Sequence, residues 1–354
     1  MKKQNPGNIT IVDVAKRAGV SASTVSRVLN GNGYVSIRSR THVERVMAEL
    51  SFVPSTIARS LRDKHTKMIA IFIPDFSNMF YSEMLAGMAP EAAEKHYMII
   101  TCTTDQDAKY ETAYIQQLLS RNIDGIIFFT YGGIRENVPY IEELAKKIPI
   151  VFMDSVFEHE PVSVVSTDGL SGTRQAVSYL IREGHRRIGY IKISDDYYVA
   201  RHRYEGYAAA LLDGGISLDP SLVYELKLDD LRRRSHEAGQ YFLSLPDRPT
   251  AIMAVDDQIA IGTMNYLLTH GIAIPQQMAI VGFDNIPLSS LVTPSLTTVA
   301  QPIRQLGREA VRLLIDKIED PTLSNRKIML ETKLVIRHST DASRPLVGDG
   351  EGEQ

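Results

Sequence analysis

The chain of 354 residues has no tryptophan and a single cysteine, Cys102. One cysteine cannot close an intramolecular disulfide, and its setting in the apolar stretch MIITC predicts a buried, unreactive thiol. No apolar run approaches the roughly 18 residues that mark a membrane-spanning helix. The opening MKKQNPGNIT lacks the apolar core of an export signal, which predicts a cytoplasmic protein. The histidines are scattered and unaccompanied by cysteines, so no zinc spacing forms. GxGxxG, P-loop and GxSxG patterns are missing too, so no cofactor is expected and no catalytic nucleophile stands out. These absences argue against an enzyme.

What is present begins at residues 10–30, TIVDVAKRAGVSASTVSRVLN. The pattern predicts a short helix, a turn at Gly19 and a second short helix, the spacing of a helix-turn-helix. Thr10 caps the first helix, with Asp13 completing a capping box. Val14, Ala15 and Ala18 share its inner face. Ser21 caps the second helix, which turns Val25, Val28 and Leu29 inward and presents Ala22, Ser23 and Arg27 on the opposite face. Thr24, Ser26 and Asn30 flank that face, small polar groups suited to phosphate oxygens. Ser36 caps a third helix over 37–50. Charge separates this head from an ordinary helical bundle: residues 1–66 carry a net +7, the remainder a net −10. A basic head on an acidic body is the asymmetry expected when one part alone meets phosphates. Pro54 then ends the helical region, and residues 55–62, STIARSLR, are too short to hold a helix unaided.

VDVAKRAGVS, TVSRVLNG and FVPSTIARSL together resemble the lac-repressor (LacI/GalR) family of bacterial transcription regulators. The resemblance implies that Ala22, Ser23 and Arg27 read bases, while Thr10, Ser21, Thr24, Ser26 and Asn30 hold the DNA backbone. Residues 55–62 resemble the hinge helix, whose Ala58 and Leu61 occupy the positions that enter and kink the minor groove.

From residue 67 short apolar runs (68–73, 97–101, 125–129, 149–153, 187–191, 251–255, 278–283) alternate with helical patterns (80–95, 108–121, 170–184, 203–213, 257–270, 303–318). Continuous apolar strands separated by helices mean parallel sheets covered on both faces. About 270 residues of this pattern suit two doubly wound lobes better than one. The expected fold class is therefore an all-α helix-turn-helix head plus two α/β lobes, and the resemblance adds that the lobes share the fold of periplasmic sugar-binding proteins. The expected domains are 1–53, a hinge and linker at 54–66, and a two-lobed body at 67–338. The chain first crosses between lobes near 162–170 and returns within about 295–335. Residues 339–354 form a disordered tail. Pro90 is expected to kink or split its helix.

Ligands of open parallel sheets sit beyond the carboxyl ends of the strands. Asp75, Asp154, Asp256 and Asp284 follow strands, Arg203 opens a helix, and Phe80 offers a flat apolar face. Acceptors, one fork donor and an aromatic surface suit a polyol. Each has a duller explanation: Asp75 and Asp256 as helix caps, Arg203 as a surface ion pair, GFDN as a turn. The resemblance favours Arg203 and Asp284, since R-x-x-G (203–206) and GFD (282–284) match its effector contacts. VDDQ at 255–258 departs from the family's Asn-Asp-Gln, placing a carboxylate where an amide is usual and favouring a cationic or donor-rich ligand. The segment 226–239 is a longer, more basic loop than the family pattern. The implied mechanism is a homodimer on a pseudopalindromic double-stranded operator, with a carbohydrate-like effector between the lobes shifting the equilibrium of the heads. Met84 and Met88 are candidates for the dimer surface. The alternative is a catabolite-control type of regulator, with a phosphoprotein as co-repressor.

Overall fold

Three short helices build the N-terminal unit, each started by a side chain that satisfies the first free amides. The computed structural model describes residues 9–52, 65–74, 76–103, 108–129, 140–141, 143–154, 162–195, 197–226, 231–341 and 343. Contacts divide the chain into Met1–Lys67 and Met68–Gln354. Helix α1 (Ile11–Ala18) carries the Thr10/Asp13 capping box: Asp13 N donates to Thr10 Oγ1, and Thr10 N donates to Asp13 Oδ2 at 2.8 Å. Gly19, at φ 65°, ends it in the left-handed conformation that glycine adopts without penalty. Helix α2 (Ala22–Asn30) is capped by Ser21 and helix α3 (Ile37–Glu49) by Ser36. Val14, Ala15, Ala18, Val25, Val28, Val43 and Val46 form their common core.

The second unit begins with β1 (Met68–Ile73), α4 (Met79–Glu94), β2 (Met98–Thr103), α5 (Ala108–Ser120), β3 (Gly125–Phe129), β4 (Ile150–Met153) and β5 (Ser163–Thr167). It continues with α6 (Gly169–Arg182), β6 (Ile188–Lys192), α7 (Tyr198–Asp213), β7 (Val223–Glu225), α8 (Leu231–Ser244), β8 (Ala251–Ala254), α9 (Asp257–Thr269), β9 (Ala279–Asp284), α10 (Pro287–Leu291) and β10 (Thr297–Ala300). Helix α11 (Ile303–Glu319) and strands β11 (Lys327–Leu330) and β12 (Lys333–Val335) complete it. Two sheets result, ordered β2-β1-β3-β4-β5-β11 and β7-β6-β8-β9-β10-β12. Every pairing is parallel except β10 with β12.

Both faces of each sheet are apolar, as their uninterrupted hydrophobic runs require. Ile69, Ile71 and Ile73 of β1 enter one core with α4 and α11, while Ala70 and Phe72 enter another with Ile115 and Leu118 of α5. Strand β8 divides likewise, Ile252 and Ala254 to one side, Ala251 and Met253 to the other. Helices α4 and α11 approach so closely that a Cβ at Gly87 would lie 2.1 Å from the Arg304 carbonyl oxygen. One at Gly307 would lie 2.4 Å from that of Met84.

The chain passes between sheets three times: from β5 to α6 through Asp168, from β10 to α11, and from β11 to β12. Thr332 Oγ1 donates to the Asp168 carbonyl at 3.4 Å, tying the first and third passages together.

Several expectations need correction. Met84 and Met88 are fully buried against α11, so they are core and not a surface for a second copy. Helix α4 runs unsplit through Pro90, because Pro90 and Ala86 are both exposed and water can take up the carbonyl that proline leaves unbonded. Helix α7 starts at Tyr198, a turn before residue 203. Part of the basic segment 226–239 belongs to α8, where Ser235, Ala238 and Phe242 point inward at helical spacing and Arg234 pairs with Glu237. Where a disordered tail is expected from Ser339, that residue is fully buried: its amide donates to the Ser295 carbonyl and its hydroxyl to that of Ile280.

Candidate functional site

Two regions gather the polar residues singled out in the sequence. In the head, Val25 and Val28 bury the inner face of α2, and this leaves Ala22, Ser23 and Arg27 exposed on the outer one. Gly33, at φ 81°, passes beneath Arg27, and a Cβ there would sit 3.4 Å from Arg27 Cδ. Three of the flanking hydroxyls also serve the caps. Ser21 Oγ lies 2.9 Å from Thr24 Oγ1, and Thr10 Oγ1 donates to Asp13 Oδ2 at 2.7 Å. Those Thr10 bonds hold the Asp13 carboxyl below the usual carboxylate range. Ser26 is half-buried beside them. The Asn30 side chain, Ala58 and Leu61 lie outside the described residues.

The second region is a cleft beyond the carboxyl ends of both sheets. Phe80, Asp154, Arg203, Asp256 and Asp284 line it with Asn78, Tyr81, Phe129 and Val199. Asp75 lies outside the described residues. Phe80, Tyr81 and Phe129 form an edge-to-face trio with ring centres 5.3–6.1 Å apart. Asn78 caps α4 by accepting from Phe80 N at 2.9 Å, which sets that wall.

Arg203 sits in the second turn of α7, buried rather than on the surface. Its Nη1 donates to the Val255 carbonyl at 2.5 Å, its Nη2 to Asp284 Oδ1 at 3.4 Å, and its guanidinium stacks 3.7 Å from the Phe283 ring centre. Gly206 explains the R-x-x-G spacing. A Cβ there would lie 2.3 Å from the Leu170 carbonyl oxygen, so only glycine lets α7 lie against α6 and carry Arg203 over Gly169.

Asp284 ends β9 at φ 116°, a conformation disfavoured for any residue with a side chain. The strain is held by its bonds: Oδ1 accepts from Arg203 and, at 2.5 Å, from Gln301 Nε2. The buried Gln301 also accepts, at Oε1, the hydroxyl of Thr167, so one amide joins the first two passages between the sheets to the cleft. Asp154, also at positive φ, follows β4. Asp256 both caps α9, accepting from Ile259 N at 2.7 Å, and lines the cleft, so cap and site are one residue.

Sequence reasoning passes over Asp257, which is fully buried. It accepts from Ile286 N at 2.9 Å and from Thr298 Oγ1 at 2.5 Å, supporting the turn that carries Asp284. The available signal is the Asp-Asp pair itself, since one carboxylate suffices for the cap.

Burial pushes the Asp284 carboxyl up to about 7, opposed by Arg203 and helped by Asp256 and Asp154. Burial likewise raises Asp154 to about 6 against the pull of Arg203. A carboxylate raised on folding binds its proton more tightly in the native state, so stability falls as pH climbs from the unfolded value towards the folded one. Thermal scans of the unliganded protein are expected to show a midpoint that drops between about pH 5 and about pH 7.5. Asp284→Asn flattens that slope, and a midpoint that rises across the window contradicts the assignment.

Residues 10–55 match the family described as bacterial regulatory proteins, lacI family, and residues 177–340 match the periplasmic binding protein-like domain. The HTH-type transcriptional regulator DegA of Bacillus subtilis (strain 168) is 36% identical over 334 residues, 94% of this chain and 98% of its own length. The lac repressor dimer bound to operator and the anti-inducer ONPF superposes with a TM-score of 0.84 at 25% identity, covering 94% of this chain and 99% of the repressor chain. The transcriptional regulator CelR in its cellobiose complex gives 0.71 at 29% identity, covering 93% and 99%. The chain therefore belongs to the lacI family of bacterial transcription regulators, with a helix-turn-helix DNA-binding head and a periplasmic-binding-protein-like body of two parallel-sheet lobes.

Proposed function

We propose that this protein is a repressor whose operator affinity is set by a small polyhydroxylated ligand held between its lobes. The observation that carries this reading is the cleft. A buried guanidinium, three carboxylates and an aromatic trio from both sheets converge where a closing ligand touches each. The cellobiose held by CelR supports a carbohydrate-like effector. In the head, Arg27 reads a guanine edge and Ala22 and Ser23 make short-range base contacts. Thr10, Ser21, Thr24, Ser26 and Asn30 hold phosphates, and Ala58 and Leu61 wedge the minor groove. Two heads on a dimer axis match a pseudopalindromic site. The ligand acts by preferring one arrangement of the lobes, without which no population shifts.

Selection of bound duplexes from random DNA, repeated with and without a sugar panel, tests this. A palindromic consensus whose occupancy changes with one sugar supports it. Occupancy that ignores every sugar but requires a phosphoprotein overturns the small-ligand half. Within the selected site, Arg27→Ala is expected to cut the preference over random DNA about 10- to 100-fold, the worth of one bidentate base contact. Equal losses on both DNAs would move Arg27 to the phosphates.

A further inference from the structure

We infer that the cleft continues into a second compartment that takes a second sugar ring, so that the ligand is a glycoside of at least two units; this rests on the effector reading of the cleft. Val199 and Arg203, one turn apart on α7, line the cleft and a neighbouring cavity alike. Tyr198 and His202, also one turn apart, wall that cavity from the adjoining face of the same helix. Thr167 at the end of β5 and Met329 on β11 supply the other side, and Asp168 joins them from the first passage between the sheets. Like the cleft, this compartment therefore draws on both lobes, and a ligand that extends past Val199 enters it.

Two polar atoms of its lining residues make no hydrogen bond among the described residues. Asp168 caps α6 through Oδ1, which accepts from Ser171 N at 2.9 Å, and its Oδ2 is left over. His202 Nδ1 lies 3.1 Å from the Tyr198 carbonyl oxygen. A carbonyl can only accept, so the hydrogen of the neutral ring sits on Nδ1 and Nε2 is an acceptor with nothing to receive. Both atoms call for donors from the ligand. A phosphate or carboxylate end would set lone pairs against them, and a hydrocarbon end would leave them unbonded.

The apolar part of the wall selects the kind of donor. The Tyr198 and His202 ring centres are 4.0 Å apart with planes inclined at 41°, and the side chain of Met329 is exposed beside them. A flat heteroaromatic ring stacks on one such plane and meets the other obliquely. The puckered C–H face of a sugar follows a bent surface, and the hydroxyls at its rim carry the hydrogens that Oδ2 and Nε2 lack.

Calorimetric titration of the full-length protein with disaccharides and the single sugars that compose them tests the inference. The probes are cellobiose and maltose with glucose, lactose with galactose and glucose, and sucrose with glucose and fructose. At least one disaccharide is expected to show an affinity about tenfold or more above that of either unit, the return on one or two added hydrogen bonds. His202→Phe keeps a ring and removes the acceptor, while Asp168→Ser keeps a cap for α6 and removes the outer oxygen. Each is expected to cut the disaccharide preference about threefold or more. If single sugars bind as tightly as their disaccharides, the inference fails while the effector reading stands. If no sugar of either length binds, the inference fails and the effector reading loses its support with it. A disaccharide preference that survives both substitutions places the second ring elsewhere and overturns the assignment.

Discussion

Replacing Arg203 with alanine is expected to leave a protein that binds operator and no longer answers its effector. The guanidinium is the hub of the cleft: it bonds Val255 and Asp284, stacks on Phe283 and offsets the charge of Asp154 and Asp284. Truncating one partner of a buried, hydrogen-bonded charge pair costs about 2–5 kcal/mol, much of it from the stranded partner. Effector affinity is then expected to fall about 100-fold or more. Arg203→Lys keeps the charge and loses the planar fork, so most of the loss persists. The head is a separate unit and keeps its own core, so operator affinity without effector stays close to that of the parent. Fluorescence anisotropy with labelled operator, with and without effector, measures both quantities. An Arg203→Ala protein whose operator affinity still changes at the parent's effector concentration sinks the assignment.

The second large effect falls on stability. Gly87→Ala places a methyl where the Arg304 backbone oxygen already stands, 2.1 Å away. No rotamer relieves a clash with a main chain, so α4 and α11 must separate. Their interface holds Met84, Met88, Leu306, Ala310 and Val311 in one core. Overpacking a well-filled core costs about 1–3 kcal/mol, and a clash against backbone lies at or above the upper end. The melting midpoint is expected to drop by about 6 °C or more. A Gly87→Ala midpoint within about 1 °C of the parent shows that the helices can slide apart freely.

Elements with a strong local cause were legible from residues alone. The apolar runs at 68–73 and 125–129 coincide with β1 and β3, because strands buried on both faces leave no polar position to blur their ends. The Thr10 and Ser21 caps were readable because capping is local chemistry. What escaped depends on contacts distant in sequence. The opening of α8 is rich in arginine, and its helical character rests on what Ala238 and Phe242 meet across the lobe. Met84 and Met88 have one pattern whether they face a partner or α11, and the glycine at 307 decides between them. Asp257 escaped because its partners, Ile286 and Thr298, lie 29 and 41 residues away. The cleft was legible as a set of strand-end acids, but the burial of Arg203 was not, since it needs Gly206 to bring two helices together.

Gln301 gives the molecule an economy of parts. Its side chain holds the Asp284 carboxylate on the cleft wall and the threonine hydroxyl at the first passage, while its own backbone leads into α11 at the second. A displacement of Asp284 is therefore handed to both joints without intermediaries, through the bonds of a single amide.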